Sequence, residues 1–182
     1  NPLKFERIGS NYIQKIKKLS TNNLYIIDKM PLNFLWIGLI RLTLPNAKII
    51  HCIRDPKDTC LSIFKSYFGQ SGNGYAYDLI DLGQYYNLYL DLMRHWHSTL
   101  PNYIYDLSYE ELIKNQKKET QKLLNFCGLG WDESCMKFYT NSRPVTTASS
   151  TQVREPIYKK SIDLWKHYKE DLKPLLKILD KN

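Results

Sequence analysis

The sequence predicts an α/β fold with a parallel sheet. Short apolar runs of strand type alternate with stretches of helical period. The connection between the first two runs exceeds the roughly dozen residues that a right-handed crossover needs. The chain also shows no internal repeat and no low-complexity tract. In order, Tyr12 to Leu19 reads as a helix, and Leu24 to Asp28 as a first strand. Leu32 to Leu44 is apolar nearly all round, as a buried helix would be, and Pro45-Asn46 ends it. Lys48 to Ile53 is the second strand. Asp55-Pro56 opens a helix to about Phe68, with Asp55 as cap and Pro56 at a position where a missing amide costs nothing. Gly69 to Gly74 reads as a mobile loop.

Asp81 to Leu100 is a long amphipathic helix whose stripe is Leu82, Tyr85, Tyr86, Tyr89, Met93, Trp96 and Leu100. This spacing marks core rather than a base-stacking surface, which more often lies on sheets or loops. Tyr103 to Leu107 is a third strand. Ser108 and Glu111 form a capping box for the next helix. A further helix ends at Gly128, Asp132 caps a short one to Tyr139, and Asn141 to Pro156 is irregular. Ser161 to Asp180 reads as helix with a break at Pro174.

The 182 residues suit a single domain, and 43% hydrophobic content supports a real core. The net charge of +8 attracts anionic partners through the summed field. The lysines are scattered and form no basic tail, which argues against nucleic acid as partner. Cys52, Cys60, Cys127 and Cys135 form no CxxC pair, and no histidine completes a zinc spacing. No metal is expected. The thiols read as buried and reduced, which points to a reducing, cytoplasmic compartment. The longest apolar stretch, Phe34 to Ile40, is far shorter than the roughly 20 residues of a membrane helix, so no membrane partner is expected within this segment.

Ligands of an open parallel sheet bind beyond the carboxyl ends of its strands. The segments Asp28 to Pro31, His51 to Pro56 and Asp106 to Glu110 are expected there. Arg54 follows a strand directly, and the helix from Pro56 points its positive end at the same space, a combination suited to phosphate. The alternative is a structural Arg54 paired with Asp55 or Asp58. Lys29 can present an ammonium to a transferring group, or simply be solvated. Ser149, Ser150, Thr151 and Arg154 lie in a polar stretch suited to anion contacts or to a plain surface loop. GxSxG, Walker, GxGxxG and HExxH patterns are all missing.

Asp28-Lys29-Met30-Pro31-Leu32-Asn33-Phe34 resembles the sulfotransferase superfamily, as does Pro45 to Pro56 with Asp58 and Ser62 after it. Ser108 to Leu112 looks like the family's YE-L segment. Thr147 to Tyr158, with Trp165 and Tyr168, resembles its C-terminal segment. The closest likeness is to bacterial sulfotransferases with tetratricopeptide repeats, relatives of the tyrosylprotein sulfotransferases. The resemblance implies a P-loop-like parallel sheet flanked by helices. It implies PAPS (3′-phosphoadenosine 5′-phosphosulfate) as co-substrate, with the bisphosphate product PAP also bound. It implies a hydroxyl-bearing acceptor: peptide, glycan or small molecule. Arg54 and Ser62 match residues that hold the 3′-phosphate, Tyr109 a cofactor contact, and Lys29 the lysine near the transferring sulfuryl group. Ser149, Ser150 and Arg154 match a loop over the cofactor. The first strand, the loop around the 5′-phosphosulfate and the likely base are expected before Asn1. Residues 1–182 are then a partial catalytic domain, truncated at its N-terminus and inactive alone. The rival readings are a non-catalytic module for adenosine 3′,5′-bisphosphate and a basic nucleic-acid binder.

Overall fold

The computed structural model describes residues 2–19, 24–69, 72–141, 152–157 and 160–180. Two strands, β1 (Ile49–Ile53) and β2 (Ile104–Ser108), pair as a small parallel sheet. The α-helices among the described residues are α1 (Pro2–Lys17), α2 (Ile37–Thr43), α3 (Pro56–Phe64), α4 (Leu79–Thr99), α5 (Tyr109–Lys114), α6 (Gln116–Cys127) and α7 (Lys173–Leu179). The expected α/β architecture is therefore present. The chain divides into two compact units, one from Asn1–Ile49 and Tyr89–Ile104, the other from Ile50–Leu88 and Tyr105–Asn182.

In the first unit, Ile37, Met93 and Ile104 are buried together, with Phe34, Tyr89 and Trp96 packed around them. Trp96 donates its indole N–H to the Phe34 carbonyl at 2.8 Å, and Phe34 meets Tyr89 edge to face at 5.2 Å. Gly9 of α1 lies against α2 so closely that an added Cβ would stand 1.9 Å from the Thr43 carbonyl oxygen. A backbone oxygen cannot swing away as a side chain can. Gly9→Ala is therefore expected to lose about 2 kcal/mol of stability despite its better helix propensity. The check is the urea midpoint, and an unchanged midpoint would mean that α1 has no fixed seat on α2.

Two expected elements of this unit form differently. Leu24 to Asp28 pairs with no strand among the described residues, so it is no strand itself. Leu24 and Ile27 are 95% and 91% exposed, whereas an apolar run becomes a strand only through a partner's backbone groups. The crossover drawn from it disappears with it. Leu32 to Leu44 is a 3-10 helix over Pro31–Trp36 followed by α2, rather than one buried helix. Trp36, with φ −113° and ψ 7°, breaks the helical path between them. Leu35, Trp36, Leu39 and Leu42 remain substantially exposed.

In the second unit, Cys60 and Leu61 of α3, Leu82 of α4 and Leu172, Leu175 and Leu176 around α7 form the core. Gly83 allows α7 to approach α4. An added Cβ there would stand 3.1 Å from Ile178 and 3.2 Å from Leu175. Asn87 closes this contact with a hydrogen bond to the Ile178 carbonyl at 3.2 Å. The α4 stripe reads as core in both units. Leu82 and Met93 are buried, and Tyr86, Tyr89 and Trp96 pack against the two clusters.

α6 ends at Gly128, whose φ of 71° is the left-handed cap expected there. α3 stops at Phe64, a turn earlier than expected. Asp132 caps a 3-10 helix over Glu133–Thr140. Ser161 to Asp180 is not continuous helix. A turn leads to a 3-10 helix at Leu164–Tyr168, and α7 begins only at Lys173, with Pro174 in its first turn. The cause is Asp163, whose φ of 60° is incompatible with helix. None of the four cysteines is in a disulfide, yet Cys52 is exposed rather than buried, since one side of β1 is uncovered. Cys60 is fully buried, and burial pushes its thiol pKa up to about 12. Among the described residues no helix is long and apolar enough to cross a membrane.

Candidate functional site at the carboxyl ends of the strands

Arg54 leaves β1 at its carboxyl end, and Tyr109 leaves β2 at the corresponding point. Parallel pairing brings these two exits together, which neither local sequence encodes alone. The Arg54 guanidinium lies over the Tyr109 ring, 5.2 Å from its centroid, in a cation–π contact. The Arg54 Nη2 donates to the Ser161 carbonyl. The Tyr109 hydroxyl and Ser161 Oγ are 2.8 Å apart, and either can donate. The Arg54 Nε–H is buried and has no hydrogen-bond partner among the described residues. A buried guanidinium donor without an acceptor is costly, so this atom marks a place prepared for an acceptor.

The carboxylates nearby do not neutralise Arg54. Asp55 turns its side chain onto α3, accepting from the Lys57 and Asp58 amides, both at 2.9 Å. Glu110 accepts from the Asp55 amide at 2.8 Å and from the Ser108 hydroxyl at 3.2 Å. Asp58, 2% exposed, accepts from the Asp163 amide at 2.7 Å and the Trp165 amide at 3.0 Å. Each acid is thus committed to backbone donors. Arg54 forms no ion pair among the described residues, and neither Asp55 nor Asp58 is its partner.

This arrangement corrects one expectation. The start of α3 is not an open amide nest for an anion. Pro56 has no N–H, and Asp55 takes the next two amides. Anion capacity rests instead on the Arg54 side chain and the hydroxyls beside it. The capping box at α5 is also only half formed as expected. Ser108 accepts from the Glu111 amide at 3.3 Å, but it is Glu110 that reaches across to the end of β1.

Of the other sequence candidates, Ser62 is exposed on α3, one turn beyond Asp58. Arg154 is exposed on a 3-10 turn, Gln152–Arg154, which packs beside the Glu133–Thr140 helix. Ser149 and Ser150, with Thr151, lie outside the described residues. Lys29 belongs to the first unit and is exposed. Its neighbour Asp28 accepts a hydrogen bond from the Tyr12 hydroxyl of α1. That bond, with burial and the Asp28 charge adding to it, raises the Tyr12 pKa to about 12. The phenol therefore stays neutral and the bond intact through the physiological range.

Sequence reasoning missed Ser161, Glu110 and Asp58 in these roles. Ser161 was hidden inside a segment read as helix. The segment instead turns at Asp163, where φ is positive and the amide is held by Asp58.

The sulfotransferase family model matches residues 2–133. That is most of the chain, and it takes in Lys29, Arg54, Ser62 and Tyr109. The chain belongs to the sulfotransferase family. An uncharacterized protein of Aquifex aeolicus (strain VF5) is 38% identical over 170 residues. This match covers 92% of the present chain and 22% of the Aquifex protein, so the chain spans about a fifth of that relative's length.

Proposed function

We propose that this chain forms the nucleotide-anchoring part of an enzyme that transfers a sulfuryl group from PAPS to a hydroxyl acceptor. The observation that carries the reading is Arg54, a guanidinium with no ion pair and one buried donor without an acceptor among the described residues, at the end of a parallel strand in a sulfotransferase-family chain. In this reading Arg54 holds the 3′-phosphate, with the Tyr109 ring fixing the guanidinium plane. Such anchoring, remote from the reacting sulfur, orients the donor for in-line attack. Lys29 stabilises negative charge that develops on the bridging oxygen of the leaving group. Ser62, Ser149, Ser150 and Arg154 are proposed as further cofactor contacts. A protein tyrosine is one acceptor of the right chemistry. The four cysteines, none in a disulfide, fit a reducing, cytoplasmic setting.

The test is turnover of labelled PAPS by the full-length protein and its Lys29→Ala variant. Lys29→Ala is expected to lower kcat by about 100-fold while leaving PAP affinity within about twofold, because the ammonium acts on charge present mainly in the transition state. No turnover by the parent protein with any tyrosine peptide, glycan or small hydroxyl acceptor, together with intact PAP binding, would replace the enzyme by a binding module.

A further inference from the structure

Ser161 lies beyond the residues matched to the family, yet it receives both functional side chains of the site. Its carbonyl takes the Arg54 Nη2, and its hydroxyl meets that of Tyr109 at 2.8 Å. The two hydroxyls carry one proton each, and a single hydrogen bond between them uses only one. The pair therefore retains one O–H for a third group. The Nε–H of the same Arg54 is buried and has no partner among the described residues. Two donors and a fixed positive charge thus stand together. The acids around them are all engaged by backbone amides, and the α3 amides are closed off by Asp55. A partner matching these donors must be acceptor-only, anionic and compact, which describes a phosphate monoester.

We propose that Ser161 is a specificity-determining residue of this site. Its hydroxyl, acting with Tyr109, donates to the terminal phosphate that Arg54 anchors. This inference rests on the reading of Arg54 given above. Asp58 is the positioning residue. Its buried carboxylate binds the Asp163 and Trp165 amides and so sets the turn that carries Ser161. The Lys57 ammonium over the Trp165 ring, at 4.7 Å, ties down the same segment. Ser161→Ala keeps the main-chain carbonyl that Arg54 uses and removes only the hydroxyl.

The experiment is titration calorimetry on the full-length protein with adenosine 3′,5′-bisphosphate and, separately, adenosine 5′-monophosphate. Ser161→Ala is expected to weaken the bisphosphate by about tenfold, the worth of one hydrogen bond to a charged group. The monophosphate should bind it as it binds the parent protein, and Ser161→Thr should restore the bisphosphate. Tyr109→Phe, which keeps the ring over Arg54, should reproduce the selective loss, so the idea survives scrutiny even if one variant folds poorly. Equal weakening of both nucleotides would make Ser161 merely structural and overturn the inference. So would unchanged bisphosphate affinity in Ser161→Ala while Arg54→Ala loses it, and that result leaves the anchoring reading standing. Parent-like bisphosphate binding by Arg54→Ala would defeat both.

Discussion

Arg54→Ala is expected to weaken adenosine 3′,5′-bisphosphate binding by at least about 100-fold, roughly 3 kcal/mol, because a charge and its directed donors are removed together. The adjacent cation on α3 is already engaged. Lys57 is held over Trp165 and pairs with Asp180 at 3.0 Å. Arg54→Lys is expected to fall between parent and alanine variant, since an ammonium keeps the charge but not the planar fork or the stacking on Tyr109. Calorimetry at two salt concentrations checks this. The parent affinity should drop as salt rises, and Arg54→Ala should show a shallower dependence. A tenfold or smaller loss in Arg54→Ala would mean that the phosphate is anchored elsewhere.

Asp58→Ala is expected to destabilise the protein by about 3 kcal/mol, because two amides lose their acceptor inside the structure and a buried side chain leaves a gap. The loss combines packing with polar satisfaction, since α3 also brings Cys60 and Leu61 to the core beside Leu172 and Leu175. Asp58→Asn keeps one carbonyl oxygen as acceptor, so its loss is expected to be about half as large. Urea unfolding, followed by tryptophan fluorescence through Trp165, gives both values. A change below about 0.5 kcal/mol in Asp58→Ala would place Asp58 among ordinary surface positions. The same substitution should weaken the bisphosphate, because it releases the turn that presents Ser161.

Much of the fold follows from local chemistry and was legible in the chain. β1 and β2 form where β-branched and apolar residues cluster, and Asp55-Pro56 and Gly128 delimit their helices as their residue types dictate. Six of the seven α4 stripe residues lie in or against the two cores, and Tyr85 stacks on Tyr75 instead. Arg54 was identifiable as a candidate because strand exits in a parallel sheet present ligand-binding residues, whereas Tyr109 was singled out by the family resemblance. Leu24 to Asp28 shows the limit. Its apolar, β-branched composition is that of a strand, but strand formation belongs to a pair of segments and cannot be read from one.

What the amino-acid order determined by itself was the set of elements, their caps and the cation after β1. These depend on residues within a turn or two of one another. Tertiary structure alone decided that Ser161, 107 residues beyond Arg54, would meet it. It alone decided that Asp55 and Asp58 would serve backbone amides rather than the guanidinium. Which of several nearby acids balances a cation is settled by competition among all donors within hydrogen-bonding distance, and that distance is known only once the chain has closed on itself.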